Sequence, residues 1–203
     1  MFSWCNEFWN SFLLILSLLG FNNIVVYDFD IIEEYNIPNQ FYRIEDIGKH
    51  KTVALKEIVK SFSDIDIEIN NIEVTEKTII EDELNIIYIL TFDTLKNRKL
   101  IFDKIKHLNE NYIVDSRCGG EEYHILSYNL SNKNEVNEWE KSFNIKETNL
   151  PCGEKSICYT NLSVAAEVCN IIKKINNGEQ YPNKLIRHMK TYNIINNLKG
   201  GQK

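Results

Sequence analysis

Four apolar residues in a row, Ile24-Val25-Val26-Tyr27, preceded by Asn23, end at a carboxylate, Asp28. A run this short and continuous reads as a strand buried on both faces, which is the pattern of a parallel sheet rather than of a half-exposed antiparallel one. A second such run, Ile86-Ile87-Tyr88-Ile89-Leu90, leads directly to Asp93, and a third, Tyr112-Ile113-Val114, ends at Asp115. Between the first two lies a stretch from Thr52 to Phe62 with apolar residues at Val53, Ala54, Leu55, Ile58, Val59 and Phe62, a helical spacing. Strands are therefore expected near 23–28, 65–69, 86–90 and 111–115, alternating with helices. The fold class that follows is α/β, a mainly parallel sheet flanked by helices. In such sheets, ligands bind beyond the carboxyl ends of the strands, which is where Asp28, Asp93 and Asp115 are expected together.

The segment from Asp28 to Lys51 carries the most specific pattern. Asp28, Asp30, Asn36, Gln40, Gly48 and Lys51 stand in the register D-x-D-x-V-x-x-x-N-x-x-R-Q followed by G-x-x-K, with Asn39 where that pattern has arginine. In this it resembles the ThiF/MoeB/HesA family, the ubiquitin-activating-type adenylyltransferases. Asp93 with Arg98 five residues on is similar to a second block of that family. Tyr112 to Glu121 is similar to a D-x-R-x-G-x-E stretch of phage- and plasmid-associated ThiF-like proteins, and Cys152 to Thr160 to their C-G-x-K-S-I-x-Y-T entry into a late helix. The resemblance spans about residues 18 to 185. It implies a Rossmann-like fold and ATP-dependent adenylation of the C-terminal carboxylate of a ubiquitin-like or sulfur-carrier protein. It further implies ATP and Mg²⁺ as cofactors, with Asp28, Asp30, Asn36, Gln40 and Lys51 at the nucleotide. Asp93 would be the magnesium carboxylate, and Lys51 and Arg98 would act beside it. A homo- or heterodimer and a cytoplasmic location are implied as well.

The same residues have plainer readings. Asp93 could cap the helix beginning at Thr94, and Arg98 could pair with a surface carboxylate. Cys118, beside Arg117, could be a lowered-pKa nucleophile, but a structural or accessible thiol is favoured. Gly153-Glu154-Lys155-Ser156 lacks the earlier glycine of a Walker loop.

The N-terminal region departs from the family. Phe12 to Gly20 is too short an apolar run to cross a bilayer and reads as a buried helix capped by Gly20. Alignment on that helix puts the family's glycine-rich phosphate loop at Cys5 to Asn10, where no glycine occurs. Backbone N–H groups cradle phosphate best where glycine permits close approach. The expectation is an N-terminally incomplete member, without the loop and without the strand before it, so a catalytically inactive subunit or binding scaffold is the alternative function.

Five cysteines, none paired as C-x-x-C, predict no zinc site and reduced thiols. A formal charge of −6 argues against a nucleic-acid partner, and no segment reads as a membrane anchor. The chain is expected to form one ThiF-like domain over residues 1–190, followed by a polar tail from 191 to 203, with a C-terminal antiparallel strand region and a helix before the tail.

Overall fold

The structure is a computed structural model, described for residues 2–4, 9–80, 83–144 and 157–198. One eight-stranded sheet runs through it: β1 (Phe2–Trp4), β2 (Val25–Tyr27), β3 (Glu68–Asn70), β4 (Ile87–Leu90), β5 (Tyr112–Gly119), β6 (Glu122–Asn129), β7 (Pro182–His188) and β8 (Asn193–Leu198). The spatial order is β3-β2-β1-β4-β5-β6-β7-β8. The first five strands are parallel, and β6 to β8 continue antiparallel. The helices are α1 (Trp9–Leu18), α2 (Lys51–Ser63), α3 (Leu95–Ile105), α4 (Lys133–Lys141) and α5 (Cys158–Asn176).

Alternation along the strands divides the core into two layers. Val26, Ile87, Ile89 and Val114 face α1, α2 and α5, packing with Phe12, Leu16, Leu55, Val59, Val168 and Ile172. Their neighbours Val25, Tyr88, Leu90 and Ile113 face the other way, against Ile101, Phe102 and Ile105 of α3 and Trp139 of α4. Successive strand side chains point to opposite faces, so a run apolar at every position requires cover on both. The expected helix-sheet-helix sandwich is what these two clusters make.

Helix ends follow their local chemistry. Past Leu18, the Gly20 N–H donates to the Ser17 carbonyl at 3.0 Å and the Phe21 N–H to the Leu16 carbonyl at 3.1 Å, with Gly20 at φ +88°. This is the paired-bond stop that favours glycine. Thr94 caps α3, its side chain accepting from the Asn97 N–H at 3.3 Å.

Three expectations are corrected. The strand held to be missing before α1 is present: β1 pairs parallel with β2 on one side and β4 on the other. Three residues, Phe-Ser-Trp, are too few for a periodicity signal, and their two neighbours impose the extended state. Asn193–Leu198, expected within a polar tail, pairs with β7 as the outermost strand. Its Asn-rich sequence hides it, since Asn is depleted in strands. Phe62, counted among the apolar positions of the helical spacing over Thr52 to Phe62, is 64% exposed near the C-terminus of α2. Among the described residues no helix is long and apolar enough to cross a membrane.

Candidate functional site

The chain leaves β2 at Tyr27 and turns sharply at Asp28. The Asp28 Oδ1 accepts the Asp30 N–H at 2.8 Å, and the Asp28 N–H donates to the Asn70 carbonyl at 3.1 Å. These bonds tie the turn to the end of β3 and hold the carboxylate at the sheet's carboxyl edge. The backbone then passes through two short 3₁₀ turns, Glu34–Asn36 and Ile44–Asp46, before α2. At the entrance to α2 the Lys51 N–H donates to the Asp30 carbonyl at 3.0 Å, and Lys51 Nζ lies 2.7 Å from Asp30 Oδ2. Lys51 is buried, only 4% exposed, so its ammonium is held on Asp30 rather than waving in solvent.

From the other strand, β4 ends at Leu90, and the chain runs through Thr91, Phe92 and Asp93 to the cap of α3. Asp93 is exposed and does not cap that helix; Thr94 does. Tyr27, Asp28, Phe29, Asp30, Phe92, Asp93, Thr94 and Asn97 line one cleft of about 310 Å³, closed on a further side by Ile72, Glu73 and Val74. Asp28, Asp30 and Asp93, distant in sequence, thus converge beyond the carboxyl ends of β2 and β4. Lys51 touches this group through Asp30.

Other candidate residues lie elsewhere. Asn36 is buried and its Oδ1 accepts the Glu33 N–H at 2.9 Å, closing the first 3₁₀ turn. Gln40 is buried too, its N–H donating to the Asn36 carbonyl at 2.8 Å. Neither lines the cleft. The carbonyl of Asn39 accepts the Asn161 amide at 3.1 Å, which fastens this loop to the first turn of α5.

Arg98 does not pair with a surface carboxylate. It is 2% exposed and turned inward, its guanidinium bonded to Asp115, to the Leu90 carbonyl at 3.3 Å and to the Phe92 carbonyl. Asp115 is 0% exposed and sits level with Leu90 across the β4–β5 pairing, inside β5 rather than at its end. It also accepts from Arg117 at 2.8 Å and from the Trp139 indole N–H at 3.1 Å. Burial would push its carboxyl up, but the charges of Arg117 and Arg98 outweigh that and hold it below the ordinary carboxylate range. Two of the three expected carboxylates therefore share the cleft, and the third lies beneath the surface at the same level of the sheet.

Cys118 is buried, with its sulfur 3.6 Å from the Asn161 amide oxygen, so the structural reading holds for it over a nucleophilic one. Cys5, Cys152 and the Gly153–Ser156 motif lie outside the described residues. So do residues 5–8, the connection from β1 to α1 where a phosphate loop was sought. Asn10, in the first turn of α1, is buried, with neither side-chain amide atom hydrogen-bonded among the described residues. Sequence reading passed over Asn10 and over the cleft walls Phe29, Phe92 and Glu73; only the placement of Phe92 just before Asp93 hinted at one of them.

A family model described as the ThiF family matches residues 10–200. The chain belongs to the ThiF family. Within it, 89 residues are 39% identical to the NEDD8-activating enzyme E1 catalytic subunit of Arabidopsis thaliana, covering 42% of this chain and 19% of that protein. Among solved structures, E. coli MccB with ATP superposes with a TM-score of 0.73 at 15% identity, over 97% of this chain and 62% of that one. MccB with AMPCPP and MccA gives 0.74 at 15% identity, over 99% and 64%. PaaA gives 0.72 at 15% identity, over 97% and 71%. At these identities the structural matches establish a shared ThiF-like Rossmann fold. The chain spans about a fifth of the length of the curated relative it matches.

The residues of the cleft fit a magnesium ion carried in by a nucleotide. Among the described residues no group of three or more His, Cys, Asp or Glu side chains forms a metal cage. Mg²⁺ commonly needs only one or two protein carboxylates, with phosphates and water completing its shell, and the exposed Asp93 at the cleft wall meets that requirement.

Proposed function

We propose that this chain is the nucleotide-binding and adenylating domain of a ThiF-family protein, acting on the C-terminal carboxylate of a ubiquitin-like protein, a sulfur carrier or a peptide. One observation carries the reading: Asp28 and Asp93 line a single cleft at the carboxyl edge of a Rossmann-type sheet, with Lys51 anchored at its rim by Asp30. Asp28 is the acceptor for ribose hydroxyls, its second-strand position being the one that meets a ribose in this fold. Its bond from the Asp30 N–H sets the direction of the carboxylate. Asp93 would hold Mg²⁺, which would supply neutralisation of charge on the phosphate oxygens. Lys51 places a cation beside the phosphates, and Asp30 holds its ammonium until they arrive. The substrate carboxylate oxygen bonds to the α-phosphorus as the α–β anhydride breaks and pyrophosphate leaves. Fixed charges aimed at the developing phosphate charge stabilise this step. A cytoplasmic homo- or heterodimer, related most nearly to phage- and plasmid-type ThiF-like proteins, completes the reading.

A second reading, a catalytically inactive subunit or scaffold, is favoured by one feature. Cys5-Asn6-Glu7-Phe8, between β1 and α1, contains no glycine to admit a phosphate against backbone N–H groups. Isothermal titration with Mg·ATP separates the two. Weak or undetectable binding is expected of residues 1–203. Recovery of binding on grafting a glycine-rich loop at Cys5–Phe8 supports the activating reading, and failure to recover supports the scaffold. In a protein that exchanges pyrophosphate into ATP, Asp93→Ala is expected to slow exchange at least about tenfold, and an unchanged rate removes Asp93 from the mechanism.

A further inference from the structure

The buried cluster under the cleft is unused by the mechanism above. Three of its contacts converge on the last residue of β4 and the turn just beyond it. Arg98 Nη1 donates to the Leu90 carbonyl at 3.3 Å, Arg98 Nη2 donates to the Phe92 carbonyl, and Ser116 Oγ donates to the Leu90 carbonyl at 3.1 Å. Arg98 is oriented by Asp115, and Asp115 by Arg117 and Trp139. Arg117 is itself fixed on Ser142, at 2.8 Å to its hydroxyl and 3.3 Å to its carbonyl, and lies over the Phe143 ring.

We propose that Arg98 and Asp115 are positioning residues for Asp93, a role that rests on the adenylation reading: together they clamp the turn that presents Asp93 to the cleft. The Phe92 carbonyl belongs to the peptide bond joining Phe92 to Asp93. Holding that oxygen sets the plane from which the Asp93 backbone departs. The Leu90 carbonyl, held twice, fixes the point where the chain leaves the sheet. Only a planar fork can bridge both oxygens and a carboxylate at once, whereas a lysine ammonium is a compact point charge. Arg98 lies in the first turn of α3, so its side chain reaches back beneath the turn and closes it from the helix side. Asp115 and Ser116 close it from β5. The clamp lies outside the cleft lining, so its effect on chemistry passes through the turn residues that line the cleft, Phe92, Asp93 and Thr94.

The test compares Arg98→Lys and Ser116→Ala with the parent protein. Amide hydrogen exchange over residues 91–97 reads the clamp directly and needs no activity. Arg98→Lys is expected to speed exchange there about tenfold or more, and Ser116→Ala less, with β5–β6 amides unchanged. In pyrophosphate exchange, Arg98→Lys is expected to raise the Mg²⁺ concentration at half-maximal rate about tenfold, while KM for ATP moves less than about twofold. Exchange that rises evenly across β4, β5 and β6 would make the cluster a general core element and overturn the proposal. Local exchange equal to the parent in both variants would overturn it too. Should Arg98→Lys not fold, Ser116→Ala alone decides between these outcomes. If neither the parent nor the loop-grafted protein exchanges pyrophosphate, the adenylation reading fails, and the amide data still decide whether the clamp exists.

Discussion

Asp46 and Asp115 each collect two cations, and the surroundings make them different objects. Asp46, at the end of the second 3₁₀ turn, accepts from Arg43 Nε at 2.8 Å and from Lys49 Nζ at 3.0 Å; both cations also reach Glu57. The Asp46 carboxylate is covered, but the side chains of Arg43 and Lys49 are 44% and 38% exposed. Asp115 has the same formal arrangement, with Arg98 and Arg117 both sealed inside. Water can replace a lost cation at Asp46. At Asp115 it cannot, so the remaining groups would keep an uncompensated charge. The first cluster ties a loop to the start of α2; the second shapes the sheet end behind the cleft.

Urea unfolding should expose the difference most clearly in Asp115→Asn. Two buried guanidiniums then share no carboxylate, and the loss expected is about 3–5 kcal/mol, seen as a lower midpoint with an unchanged slope. A loss under about 1 kcal/mol would mean water reaches the cluster and the contrast drawn here is void. Replacing Asp46 by Asn should cost less, on the order of 1–2 kcal/mol, because its cations stay hydrated and keep Glu57.

The acid limb of stability sharpens the comparison further. Burial would raise the Asp46 carboxyl, but the hydrogen bonds from Arg43 and Lys49 prevail and bring it from 3.8 to about 2. The folded state therefore binds fewer protons than the unfolded chain between these values. This contribution is fully present above about pH 4 and is lost as pH falls toward 2. Asp115, also held low, acts with the same sign. In Asp46→Asn the stability–pH curve should flatten between pH 4 and 2, and a slope equal to the parent's would refute the assignment. The smallest effect is expected from Lys49→Ala. Its ammonium is a rim partner, and the thermal midpoint should barely move at physiological salt, where exposed pairs are screened.

Much of the parallel half was legible because burial on both faces leaves a coarse trace. The runs at Ile24–Tyr27, Ile86–Leu90 and Tyr112–Val114 are apolar at every position, and all became central strands. The antiparallel strand region expected toward the C-terminus is present as β6 and β7, extended by β8. β1 and β8 escaped notice for the opposite reason: their state comes from hydrogen bonds to neighbours, and their side chains carry little pattern. For the site, the order Asp28, Asp30, Lys51, Asp93 could be matched to a family pattern, and three of the four line the cleft. Direction was beyond reach. A helical position says that Arg98 is in the first turn of α3, not that it points inward, and nothing local marks Asp115 as its partner.

By itself, then, the sequence determined that this chain builds a mainly parallel α/β sheet and that Asp28, Asp93 and Asp115 follow its apolar runs. Both follow from apolar runs and chain order, which are local properties. Tertiary structure alone decided which of those carboxylates meets solvent. Asp93 lies beyond the end of its strand and opens to the cleft, while Asp115 lies within a strand that runs on for four more residues and is covered by α3 and α4. Charge at a sheet edge is a matter of where each strand stops relative to its neighbours, and register is set by pairing across the whole sheet.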